Sequence, residues 1–332
     1  MTMRALQPTA LFATDILTKA GGRNVNEDSC DYAEAGNTAC WVVADGLGGH
    51  TGGKDASSIV VEAVLASFLG NPEFSADALA SYLEAAQLEL VRWQKKDPAL
   101  VEMRSTVVVL LTDFRQILWA HIGDSRFYCL DDGWLACRTE DHSLAQALVK
   151  AGRISEEAAR HHPDRNRLLQ SLGDAVARPT IHPKPRPLYR GTAVLLCTDG
   201  FWEHVTDTEM LVDLAKSVTP DAWLARMEAR LLERVPDGHD NYTAVAVFFS
   251  SALAPPPRPR PLVSTPAVRR LRSTAGVLML VAACLVALAL AATRIDSVRN
   301  WSRAWLGKVT TEPTTMTVDK PANVEATGGK SR

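Results

Sequence analysis

Apolar residues in the first 250 positions of the chain follow two rhythms. Short runs rich in Val, Ile, Leu and aromatic residues at 39–44, 106–111, 116–122, 193–197 and 242–249 predict β-strands. Longer stretches at 54–69 and 76–96 repeat apolar residues every three and four positions, the period of an α-helix with one buried face. Shorter helical patterns occupy 143–151 and 155–160, and a longer one runs over 208–234. No internal repeat is present. Strands carrying helices on their outer faces are implied.

After Ser250 the pattern changes abruptly. Ala254-Pro255-Pro256-Pro257-Arg258-Pro259-Arg260-Pro261 can form neither a helix nor an interior strand and reads as a semi-rigid linker. Residues 274–293 carry no charge, and their number matches the roughly 20 needed to cross a bilayer. A buried core helix is the competing reading, but it would have to follow the linker and would lack a polar face. The expected organisation is a main domain at 1–252, a Pro/Arg-rich linker at 253–273, a transmembrane helix at 274–293 and a polar, disordered tail at 294–332. Arginines flank the span on both sides, so they do not decide its orientation. Pro8 and Asp15 interrupt the N-terminal stretch, which does not read as a signal peptide. The main domain is therefore expected in the cytoplasm, anchored to the plasma membrane, with the short tail outside. Trp301 and Trp305, one turn apart, suit the membrane interface.

Charge narrows the partners. The 36 basic and 38 acidic residues nearly cancel, so no global basic field favours nucleic acid. The six cysteines, at 30, 40, 129, 137, 197 and 284, include no Cys-x-x-Cys pair, which argues against a zinc cluster and for reduced, buried thiols.

Acidic residues recur at the edges of the strand-like runs. Asp45, Asp124 and Asp199 follow such runs, whereas Asp28 and Asp240 precede them. Any one Asp-Gly or Gly-Asp pair alone is ordinary turn chemistry. In antiparallel neighbours, however, the start of one strand lies beside the end of the next, so all five carboxylates can meet at one sheet edge and hold hard divalent cations. The glycine-rich segment after Asp45 is a poor dinucleotide loop. Thr51 stands where the third glycine should fall, and Asp45 would repel a pyrophosphate.

Together, Arg23-Asn24-Val25-Asn26-Glu27-Asp28-Ser29, Asp45-Gly46-Leu47-Gly48-Gly49-His50 with Ala56-Ser57, Gly123-Asp124-Ser125-Arg126, Asp141-His142-Ser143, Thr198-Asp199-Gly200-Phe201-Trp202-Glu203 and Asp240-Asn241-Tyr242-Thr243 resemble the metal-dependent protein phosphatase family, PPM or type 2C. The resemblance runs from about Arg23 to Phe249 and is closest to bacterial members. It implies an α+β fold, a four-layer α/β/β/α sandwich of two antiparallel sheets flanked by helices, with two Mn²⁺ or Mg²⁺ ions at one end. By position, Asp45 should bridge both ions and the Gly46 carbonyl should add a ligand. Asp199 and Asp240 would complete one shell, Glu27 and Asp28 would serve the other side partly through waters, and Asp124 would hold a third, weaker ion.

The implied reaction is hydrolysis of phosphoserine and phosphothreonine in proteins, by in-line attack of a hydroxide bridging two cations. Arg23 resembles the family arginine that grips the phosphate, where a guanidinium matches two oxygens. A surface role is its alternative. The proton donor to the leaving group is open between His50, which stands three residues after Leu47, and a metal-bound water. Arg104 replaces a usual glycine and should affect only the site margin. Residues 143–173, with His161, His162 and Arg165, resemble the bacterial flap and should influence substrate choice. Partners are then phosphorylated proteins, among them a Ser/Thr kinase and its targets. A catalytically silent module that binds phosphoproteins at the membrane is the alternative; its mark would be a missing aspartate, and none is missing.

Overall fold

A computed structural model describes residues 11–47 and 52–250, all within one unit, Met1–Pro259. The chain runs through β1 (Phe12–Lys19), β2 (Asp28–Ala35), β3 (Thr38–Leu47), α1 (Gly53–Gly70), α2 (Ala76–Lys96), β4 (Arg104–Ser105), β5 (Val107–Thr112) and β6 (Gln116–Ile122). It continues through β7 (Arg126–Asp131), β8 (Trp134–Arg138), α3 (Leu144–Lys150), α4 (Glu156–Arg160), β9 (Thr180–Ile181) and β10 (Arg186–Pro187). The last elements are β11 (Thr192–Cys197), α5 (Asp199–Trp202), α6 (Asp207–Leu214), α7 (Pro220–Leu232) and β12 (Tyr242–Phe249).

Two antiparallel sheets form the centre, one ordered β1-β12-β11-β7-β8 and the other β10-β6-β5-β3-β2. Strand alternation sends neighbouring side chains to opposite faces, and here both faces are covered. On β3, Cys40, Val42 and Ala44 pack with Val60, Val64, Leu79 and Leu83 of α1 and α2. Their neighbours Ala39, Trp41 and Val43 face the other sheet, packing with Phe127, Val194 and Val245. The opposite face of that second sheet, with Leu195 and Ala244, packs under α6 and α7 through Met210, Trp223 and Met227. Three apolar layers therefore alternate with four layers of secondary structure, as a sandwich flanked by helices requires.

The long helical pattern at 208–234 divides in two. Thr206 and Glu209 form a reciprocal cap that starts α6, and Pro220, which has no backbone N–H, occupies the first turn of α7. Among the described residues no helix is long and apolar enough to cross a membrane. The expected span at 274–293, the linker and the tail lie outside the described residues, as does His50.

Candidate metal centre

The acidic residues converge at one end of the sandwich through register alone. Asp28, the first residue of β2, is paired directly opposite Asp45 near the end of β3. Asp199 follows β11 and Asp240 precedes β12; these two strands are antiparallel neighbours, so both carboxylates reach the same end. Asp124 leaves β6 at that end too, and its charge acts on Asp199 and Asp45.

Neutral groups hold the carboxylate-bearing backbone. Thr106 Oγ1 accepts the Asp45 N–H at 2.9 Å, and Ser105 Oγ donates to the Asp45 carbonyl at 3.0 Å. Thr198 Oγ1 donates to the Asp28 carboxylate at 2.9 Å and accepts the Thr243 N–H at 3.0 Å. The Asn241 amide ties three turns together: its oxygen accepts the Glu27 N–H at 2.8 Å, and its nitrogen donates to the Ala20 and Val25 carbonyls at 2.8 and 3.0 Å. Ser57, on the first turn of α1, donates to the Glu27 carbonyl at 2.5 Å. Gly46 allows this closeness, because a Cβ there would stand 1.8 Å from the Gly53 carbonyl oxygen. Gly200 does the same beside Asn241, whose carbonyl oxygen would be 2.0 Å from an added Cβ.

Asp124 has a charged frame. Its carbonyl accepts the Trp202 indole N–H at 2.9 Å, and the Arg126 guanidinium lies 3.3 Å above that indole ring. Arg126 donates to both Asp141 oxygens at 2.8 and 2.7 Å, with each side chain only 7% exposed. Arg126 and Asp141 stood in the sequence motifs without an assigned role, and so did Asn241, Ser57 and Thr198. Their contacts are tertiary, and no local spacing announces them.

Electrostatics tests whether hard cations fit this donor set. Desolvation lifts the Asp28 carboxyl to about 6 and that of Asp124 to about 7. Asp45 and Asp199 are pushed well above the carboxylate range, first by desolvation and then by neighbouring carboxylates, Asp28 foremost for Asp45 and Asp124 for Asp199. The charged partners of the cluster lie at its edge: Arg23 pairs with Asp240 at 3.2 Å, and both side chains are about half exposed. Among the described residues no three acidic, His or Cys side chains close into a ready cage. The oxygen-only, anion-rich set fits hard divalent cations.

Two clefts adjoin the centre. One, about 440 Å³, is lined by Asn24, Asn26, Asp28 and Lys54. The other is lined by Arg160, His161, Arg165, Glu203 and His204, with Arg165 donating to Glu203 at 2.8 Å. Residues 143–173 thus meet the centre through that ion pair. Arg104 pairs with Asp174 and Glu102, each at 2.6 Å, beside the end of β3.

The chain is thus a helix-flanked β-sandwich with an acidic oxygen-donor cluster at one end. Residues 20–234 match the model of a family described as protein phosphatase 2C. The chain is 35% identical to the serine/threonine protein phosphatase PstP of Mycobacterium tuberculosis over 225 residues, 66% of this chain and 41% of that protein. It therefore spans less than half the length of that curated relative. It is 32% identical to the serine/threonine phosphatase stp of Listeria monocytogenes over 194 residues, 57% of this chain and 77% of that protein. A solved catalytic domain of the serine/threonine protein phosphatase PstP, in complex with two manganese ions, superposes with a TM-score of 0.62 at 29% identity, covering 72% of this chain and 99% of that one. The chain belongs to the protein phosphatase 2C family.

Proposed function

We propose that this chain is a protein serine/threonine phosphatase acting on phosphoserine and phosphothreonine with two Mn²⁺ or Mg²⁺ ions. The observation that carries the reading is the convergence of Asp28, Asp45, Asp124 and Asp199, each raised by burial and by its acidic neighbours. The naming of its relatives as serine/threonine phosphatases supports it. Asp45 and the Gly46 carbonyl, with Asp199 and Asp240, are the residues to hold one ion, Glu27 and Asp28 serve the other side, and Asp124 serves a third. When bound, such cations lower the pKa of water and offset charge on phosphoryl oxygens.

The chain's own residues do the rest. Arg23 stands beside Asp240 at the exposed rim, where its guanidinium can take two phosphate oxygens of an arriving substrate. Asn241, Thr198 and Ser57 fix the backbone so that the carboxylates need not reorganise when charge develops. His50 or a bound water protonates the leaving serine or threonine oxygen. Hydrolysis of p-nitrophenyl phosphate and of a phosphothreonine peptide, with Mn²⁺ and with chelator, tests the reading. Manganese-dependent turnover that falls at least a hundredfold in Asp45→Ala and Asp199→Ala is expected. Turnover that ignores chelator or either substitution would overturn it.

The placement of this domain is part of the same proposal. Sequence features support a domain at 1–252 joined by the linker at 253–273 to a membrane helix at 274–293, with a short tail after it. On this reading the domain lies on the cytoplasmic side. Phosphorylated proteins there, including a Ser/Thr kinase and its targets, are the partners. A reporter fused after Arg332 should signal outside the cytoplasm, and a cytoplasmic signal would reverse the topology.

A further inference from the structure

The cysteines of β7 and β8 form a pair that phosphoryl transfer does not use. Cys129 and Cys137 stand directly opposite each other in antiparallel register, so both side chains lie on one face of the sheet. Opposed residues have Cα atoms about 4.5–5.5 Å apart. That separation falls within the roughly 4.4–6.8 Å that a disulfide spans. The two thiols are hydrogen-bonded to each other. Just beyond the pair the register shifts, with Leu130 opposite Leu135, and Ala136 is left with no residue across from it. A bulge of this kind lets β8 adjust while β7 stays in the sheet.

The two sulfurs differ in access and charge. Cys129 is fully buried in the layer between the sheets, whereas Cys137 is only partly buried. The hydrogen bond from Cys129 holds the Cys137 thiol below its ordinary pKa, and the Arg186 guanidinium favours the thiolate as well. The same hydrogen bond, together with burial, keeps the proton on Cys129. A partly exposed thiol with a lowered pKa beside a buried thiol is the arrangement of an attacking and a resolving cysteine.

We propose that Cys129 and Cys137 are a redox-modification site that forms a reversible disulfide under hydrogen peroxide. The Cys137 thiol gives up its proton, its sulfur attacks one peroxide oxygen and the O–O bond breaks, giving a Cys137 sulfenic acid and a hydroxide that takes up that proton to become water. The Cys129 sulfur then attacks the sulfenic sulfur, forming the S–S bond as the S–O bond breaks. The departing hydroxyl takes the Cys129 proton and leaves as water. Two thiols are oxidised and one peroxide is reduced to two waters. The bond braces the hairpin that begins at Arg126 and leads on to Asp141, the ion pair that frames Asp124.

The sequence allows a direct test. Trypsin cuts after Arg126 and Arg138 and at no residue between, so both cysteines fall in the single peptide 127–138. The full chain is treated with hydrogen peroxide under native conditions, unfolded, alkylated and digested. The expected product is peptide 127–138 without alkyl groups and lighter by two hydrogen atoms, returning to the doubly alkylated form after dithiothreitol. In Cys129→Ser, Cys137 should stop at sulfenic acid and be trapped by dimedone. Peptide 127–138 that stays doubly alkylated while Cys30 is oxidised would overturn the proposal. So would Cys137 advancing to sulfinic acid with Cys129 still alkylated.

Discussion

Replacing Gly46 by alanine adds one methyl group at the most crowded point of the centre. Its Cβ would lie 1.8 Å from the Gly53 carbonyl oxygen, 2.3 Å from the Gly53 carbonyl carbon and 2.9 Å from the Glu27 carbonyl oxygen. Real Cβ atoms do not approach closer than 3.0 Å, so a displacement of about 1.2 Å is needed to relieve the worst contact. No flexible side chain is available to move, since all three atoms belong to backbone. Gly46 is held on β3 by pairing with Ser105 and by its N–H bond to the Glu27 carbonyl at 3.1 Å. The first turn of α1 must therefore give way, carrying Ser57 from the Glu27 carbonyl and loosening Glu27 and Asp28 against Asp45.

Overpacking of this kind costs about 1–3 kcal/mol. For a domain of this size that lowers Tm by roughly 2–12 °C. Misplacing catalytic groups by about 1 Å costs on the order of a hundredfold in rate. A hundredfold loss is ~2.7 kcal/mol of transition-state stabilisation. The assay is kcat/KM for p-nitrophenyl phosphate at saturating Mn²⁺, beside a thermal melt. Gly52→Ala is the matched control, because its Cβ would meet Met103 at an ordinary 3.6 Å and φ there is −137°. Because Gly52 caps α1 and alanine is a poorer N-cap than glycine, it should cost about 0.5–1 kcal/mol of stability while leaving turnover near wild type. If Gly46→Ala kept kcat/KM within about threefold of wild type with an unchanged Tm, the reasoning from backbone proximity would be refuted.

Two further predictions concern the frame around the centre. Asp141→Ala leaves the 7%-exposed Arg126 guanidinium without its bidentate partner and should cost about 3–5 kcal/mol in urea unfolding, with much of that recovered by Arg126→Met plus Asp141→Leu; a loss below ~1 kcal/mol would contradict it. Glu209 is held at about 2, first by its hydrogen bond with Arg234, below its ordinary 4.5. A depressed folded-state pKa stabilises above the unfolded value, so this contribution is complete above pH 4.5 and is lost as pH falls toward 2. With Arg234 40% exposed, screening limits it to about 1–2 kcal/mol. The stability difference between wild type and Glu209→Gln should shrink across that range, and a difference independent of pH would count against the ion pair.

How much was legible in the sequence depended on which side chains met water. Strands 116–122 and 242–249 and the helix at 76–96 fall where the apolar pattern put them. The first two lie inside a four-layer stack, where burial on both faces turns a strand into a continuous apolar run. Edge strand β2 reads Asp28-Ser29-Cys30-Asp31-Tyr32-Ala33-Glu34-Ala35 and announces nothing comparable, because one side of it is solvated. β7 was missed for another reason. It is buried throughout, yet it begins with Arg126 and ends with Asp131, charges satisfied by Asp141 and Arg186 far along the chain.

The same division governs the site. Carboxylates beside apolar runs stand out in a sequence because they have few structural uses there, so Asp45, Asp124 and Asp199, which the fold brings to one end, could be singled out before any geometry. The groups that aim them are hydroxyls, an amide and backbone carbonyls, residue types common at every turn. Their neutrality has a physical reason. A lysine in place of Thr198 could also bond Asp28, but it would supply a charge that competes with the cation for the same carboxylates. Dipoles fix position while leaving the negative field uncompensated. The full cations nearby offset that field only in part: Arg126 is bound bidentately by Asp141, and Arg23 meets Asp240 at the solvated rim. A centre built this way holds its acids in place without satisfying their charge, which is the field that the proposed divalent ions would meet.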